Sequence, residues 1–91
     1  MKKNLIGPEI QRFRERRGWS PELLAFFASE EGWMVDGEVL KRIEKQEEAI
    51  SDKQILVLSI ILEVPFESFF QGQDAQSFRN QIARIKNQNL N

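Results

Sequence analysis

Two pairs of adjacent carboxylates, Glu30-Glu31 and Glu47-Glu48, are the groups in this chain whose type best suits acid–base work. Such chemistry needs groups that converge on one reacting atom. Neighbouring residues on a helix diverge, and neither pair has a base, a nucleophile or a glycine-rich phosphate cradle beside it. The 91 residues contain no His, no Cys and no Tyr. That removes imidazole bases, thiolate nucleophiles, disulfides and His/Cys zinc sites. A carboxylate-only metal site needs several oxygen ligands in one loop, and no calcium-loop spacing occurs. The expectation is a protein that is not an enzyme, with no metal and no cofactor.

The charges that remain are unevenly distributed. Net charge is −1, yet residues 1–17 sum to +4, residues 18–74 to −8 and residues 75–91 to +3. An anionic partner is drawn first to the two ends. Hydrophobic residues are 41% and charged residues 30%, the balance of a globular chain. Lys2-Lys3 is followed only by Leu5-Ile6 before Gly7-Pro8, too short for the apolar region of a signal peptide. The longest apolar stretch, Ile55 to Leu62, is eight residues broken by Ser59. A membrane span needs about 20. Cytoplasmic location without membrane contact is therefore the expectation.

The elements that must position these charges read as helices. Ile6, Ile10 and Phe13 are spaced i, i+4, i+7, with Pro8 suited to the first turn and Gly18 to the exit, so a first helix runs from about Pro8 to Arg17. Ser20-Pro21 starts a second, which carries Leu23, Leu24, Phe27 and Ala28, ends near Gly32, and has Trp19 placed to staple onto Leu24. Asp36 caps a short third helix, about Gly37 to Lys45, with Val39, Leu40 and Ile43 on its apolar face. Ser51-Asp52-Lys53-Gln54 is a capping box for a fourth, Asp52 to Leu62. That helix is apolar on nearly every side, which predicts a central place in the core. Pro65 stops it, and Phe66, Phe69 and Phe70 make a short closing turn. No stretch reads as a strand. After residue 70, a linker and a narrow stripe of Phe78, Ile82 and Ile85 predict a last tail helix over part of 71–91. The domain is 1–70, and the fold class is all-α.

Taken in order, these helices and caps resemble the lambda-repressor-like helix-turn-helix domain of the Cro/repressor, or xenobiotic-response-element, family. The resemblance covers Leu5 to Phe70. It rests on Ile6-Gly7-x-x-Ile10-x-x-Phe13-Arg14-x-x-Arg17-Gly18-Trp19-Ser20, on Leu24-Ala25, on Leu40-x-x-Ile43-Glu44, and on Ser51, Leu58, Leu62, Val64 and Phe69-Phe70. It implies a five-helix fold whose first helix lies beside the end of the third. It also implies a buried ion pair there between Arg14 and Glu44, since a guanidinium fork bonds a carboxylate bidentately.

By the same resemblance the third helix enters the major groove of double-stranded DNA. The implied DNA-binding residues are Gly37, Glu38, Lys41 and Arg42, with Lys45 toward the backbone side and Arg17 among the basic residues of helix one. Arg42 can donate two bonds to guanine, and Glu38 can accept from cytosine N4. Glu38 and Arg42 are also spaced for an i, i+4 salt bridge. The function expected is sequence-specific transcriptional regulation, with a homodimer as the common family form. Pro21 offers no donor to a phosphate, Gly37 offers no side chain, and Glu47-Glu48 would repel a duplex. Those departures leave a second reading open, the same fold meeting a protein partner through an acidic face.

Overall fold

The structure is a computed structural model that describes residues 1–71. The expected tail helix with Phe78, Ile82 and Ile85 lies outside the described residues. Four α-helices follow one another: α1 Gly7–Arg16, α2 Pro21–Glu30, α3 Gly37–Glu44 and α4 Asp52–Leu62. A five-residue 3₁₀ turn, Phe66–Phe70, closes the order where a fifth helix was expected. Pro65 stands extended before it, and the span is too short for more than one helical turn. Among the described residues there is no strand.

Helices α2, α3 and α4 start where the sequence supplies an N-cap side chain that accepts from an orphan backbone N–H. Ser20 Oγ accepts from the Leu23 amide at 3.1 Å, and Asp36 Oδ1 from Val39 at 2.9 Å. The capping box on α4 is complete: Ser51 Oγ accepts from the Gln54 amide, and Gln54 Oε1 accepts from the Ser51 amide. The exits differ by a residue or two from expectation. The α1 helix ends at Arg16 and α2 at Glu30, and Gly18 and Gly32 take positive φ just beyond them. Glycine meets that backbone conformation without a Cβ penalty.

Helix α3 packs against α2 and α1, while α4 packs against α2, α1 and the 3₁₀ turn. The shared core is Ile6, Ile10 and Phe13 from the α1 region, Leu24 and Ala25 from α2, Leu40 and Ile43 from α3, Ile55, Leu58 and Leu62 from α4, and Phe69. Phe69 stands edge-on to Phe13 with ring centroids 5.6 Å apart. This edge-to-face contact adds to the burial of both rings.

The α4 helix does not sit at the centre of the core. Ile55, Leu58 and Leu62 are buried, but Leu56 and Ile60 are 51% and 63% exposed. Two helices and a short turn cover only one flank of this largely apolar helix. Leu23 and Phe26 on α2 are likewise exposed. The Trp19 ring packs against Phe27 at a tilt of 50°, with centroids 4.9 Å apart. No helix among the described residues is long and apolar enough to cross a membrane.

Candidate nucleic-acid interface

The inner face of α3 is fixed by one charge pair. Arg14 Nε donates to Glu44 Oε2 at 2.7 Å and Nη2 to Oε1 at 3.0 Å. The third donor, Nη1, bonds the Trp19 carbonyl at 2.7 Å. Arg14 and Glu44 are 9% and 6% exposed. The hydrogen bond to Glu44 raises the Arg14 pKa above that of a free guanidinium, against the desolvation of burial and with the help of the Glu44 charge. Both charges are desolvated, and both forks are filled. Such a pair fixes geometry strongly, because losing either partner strands the other.

A second device holds the same end of α3, and the sequence reading missed it. Asn4 is buried ahead of α1. Its Nδ2 donates to the Ile43 carbonyl at 2.9 Å and to the Glu48 carbonyl at 2.8 Å. Its Oδ1 accepts from the amides of Ile6 and Gly7. One amide therefore satisfies the start of α1 and the end of α3 together. Gly7 permits the approach: a Cβ there would lie 2.4 Å from the Ile43 carbonyl oxygen and 2.6 Å from that of Glu44. Gln46, at φ 65°, turns the chain out of α3, and its side chain bonds the Asn4 carbonyl at 3.0 Å. The Lys3 amide adds a bond to the Gln46 carbonyl. An Asn before a helix that begins Ile-Gly-Pro is the local signal. Its partners, Ile43 on α3 and Glu48 in the turn beyond it, are 39 and 44 residues away, beyond any periodicity.

The outer face of α3 carries Glu38, Lys41 and Arg42, with Lys45 at its end. Lys41 lies 3.5 Å from Glu38 and 3.6 Å from Glu22 of α2, so the α2 start and the outer face of α3 share one surface. The Glu22 carboxyl is held below the usual carboxylate range, first by its own backbone N–H and then by Lys41, against some desolvation. Arg42 Nε bonds Glu48 Oε1 at 3.1 Å. The anticipated partner was Glu38. Glu48 wins because the turn at Gln46 folds the chain back, and Asn4 holds the Glu48 carbonyl in place. Lys45 is exposed and makes no ion pair among the described residues.

Two residues expected at this surface, Gly37 and Arg17, have structural partners of their own. Gly37 is buried, and a Cβ there would meet the Glu22 side chain at 2.9 Å, so it contributes close packing of α2 on α3 and no reading group. Arg17 bonds the Leu62 carbonyl at 2.8 Å, lies 3.3 Å from Glu63 and covers the Trp19 ring at 5.3 Å. Its cation thus satisfies the carboxyl end of α4. Among the described residues, no group of three or more carboxylates could hold a metal ion. Comparison of the chain with protein-family models, curated proteins and solved structures returns no match.

Proposed function

We propose that this chain is a sequence-specific regulator of transcription that binds double-stranded DNA and presents α3 to the major groove, as its resemblance to lambda-repressor-like domains implies. One observation carries the reading. The back of α3 is locked by Arg14–Glu44 and Asn4, while Glu38, Lys41, Arg42 and Lys45 are left facing outward beside the α2 start. A locked helix with a polar outer face is what groove reading needs, since the entropy of orienting it is already lost.

In this reading Arg42 donates to guanine O6 and N7, Glu38 accepts from cytosine N4, and Lys41 and Lys45 meet phosphates. The Arg42–Glu48 pair does not block it. The two side chains are 49% and 41% exposed. Exposed pairs are worth about 0–1 kcal/mol, whereas a bidentate base contact discriminates by about 1–3 kcal/mol. The duplex wins that exchange. A two-fold dimer on half-sites about one helical turn apart belongs to the same reading.

A second reading has its own observation. Lys41 and Arg42 each lie against a carboxylate, and Glu47 is exposed at the same turn. A face balanced in this way also fits a protein partner. Titrating the chain with random duplex DNA at low and moderate salt separates the two. Affinity that falls steeply with salt supports DNA binding, through counterion release. Absence of salt-sensitive binding moves the chain to the interaction class.

A further inference from the structure

The side of α4 turned away from Ile55, Leu58 and Leu62 carries Lys53, Leu56, Val57 and Ile60, spaced i, i+3, i+4, i+7. That spacing puts the four on one helical stripe. Leu56 and Ile60 are 51% and 63% exposed, and Val57 is half-buried. The two ends of the stripe carry opposite charges. Lys53 opens it and makes no ion pair among the described residues. Glu63, where α4 ends, closes it. Arg17 holds one Glu63 oxygen at 3.3 Å, and the side chain is 75% exposed, open to a second cation. Ile60 and Glu63 also border an open groove of about 260 Å³ between α2 and α4, whose apolar wall includes Trp19 and Phe27.

This stripe is complementary to its own reverse. Residues 53 and 63 each lie three positions outside the pair 56 and 60. Two copies of α4 laid antiparallel about a two-fold axis level with residue 58 therefore set Leu56 against the partner's Ile60 and Lys53 against the partner's Glu63, each contact made twice. We infer that this chain self-associates through α4 in that antiparallel arrangement, with Leu56 of each copy at the mouth of the partner's α2/α4 groove. The charges fix the direction. A parallel pair would set Lys53 on Lys53 and Glu63 on Glu63, and like charges across an interface are penalised. A foreign partner needs apolar surface and charge, but it does not need a stripe that matches its own reverse. One face of an 11-residue helix, about 16 Å long, is smaller than a standard interface, so the association is weak. The inference gives the two-fold dimer a face, and it stands without the DNA reading, because it uses no residue of α3.

Sedimentation equilibrium of the full chain without DNA, up to millimolar concentration, tests this. A concentration-dependent dimer is expected, and L56Q/I60Q should abolish it. K53E and E63K should each weaken it about tenfold, because symmetry turns two opposite-charge contacts into two like-charge ones. The double reversal K53E/E63K should restore it, and mixing the two single variants should give a heterodimer in preference to either homodimer. Both reversals suit the helix dipole, a carboxylate near the start of α4 and a cation at its end, so the fold should survive, as circular dichroism can verify. A monomer at every concentration overturns the inference. So does a dimer that L56Q/I60Q leaves intact, or one that the double reversal does not restore, since a parallel pair or another face would behave in that way. With no duplex present, these failures reject the α4 face and leave the reading of α3 to its own titration.

Discussion

Helix α3 carries ion pairs on both faces, and the two faces differ in almost every respect that decides energy. Inside, Arg14 and Glu44 are under 10% exposed, bonded twice to each other, with the spare guanidinium donor on the Trp19 carbonyl. Outside, the Arg42–Glu48 and Lys41–Glu22 pairs have side chains more than 40% exposed, and Lys41 is shared between Glu22 and Glu38 at 3.5 Å or more. The inner pair cannot exchange partners without leaving a naked charge in the core. The outer pairs can, since water replaces either partner at little cost. The same two chemical groups thus serve as a fixture on one side and as exchangeable contacts on the other.

The comparison breaks most visibly at the inner pair. Arg14→Ala or Glu44→Ala should cost about 3–5 kcal/mol in chemical denaturation of the chain. Glu48→Gln should cost at most about 1 kcal/mol. Equal effects would show that burial does not separate the two faces. Next in size is Gly7→Ala. The new Cβ meets backbone oxygens of Ile43 and Glu44, which cannot swing aside, so about 1–3 kcal/mol of destabilisation is expected. Gly37→Ala meets only the flexible Glu22 side chain and should stay within about 0.5 kcal/mol. Asn4→Ala should cost about as much as Gly7→Ala, about 1–3 kcal/mol, since it strips partners from the Ile43 and Glu48 carbonyls and from the Ile6 and Gly7 amides at the start of α1.

Much of this division follows from local signals, and the exceptions have physical causes. Ser20, Asp36 and Ser51 fix three helix starts because a cap acts over three residues, well within reach of sequence reading. The Arg14–Glu44 pair spans 30 residues, and only its resemblance to a family pattern pointed to it. Asn4 had no such pattern to flag it, and its reach of 44 residues leaves no periodic trace. Arg17 looked like a phosphate contact because it belongs to a basic helix. In the folded chain it bonds the end of α4, a partner that only the packed fold brings near. Arg42 was matched with Glu38 by helical spacing, but α3 ends at Glu44 and the positive-φ turn at Gln46 delivers Glu48 instead. The apolar composition of α4 overstated its burial, since composition counts side chains and not the neighbours available to cover them.

The smallest expected effect sharpens the outer face. The depressed Glu22 carboxyl contributes stability that is present above the ordinary glutamate pKa and lost as pH falls through its own lower value. An NMR titration should find Glu22 titrating below an unperturbed Glu, and Lys41→Met should move it part-way back. Its own backbone bond, the larger cause, survives that change. A full return to the ordinary value would assign the shift to Lys41 alone.

The proposed function requires α3, fixed from behind by Arg14–Glu44 and Asn4, to exchange the partners of its outer charges with a duplex. The direct measurement is fluorescence anisotropy on the tightest-binding sequence selected from a randomised duplex pool, compared across wild type, Arg42→Ala and Glu48→Gln. Arg42→Ala should lose about 1–3 kcal/mol on that sequence and little on random DNA. Glu48→Gln should bind both duplexes more tightly, because it frees Arg42 and removes a carboxylate from the phosphate side. Unchanged affinity for the selected sequence in both variants would contradict the claim.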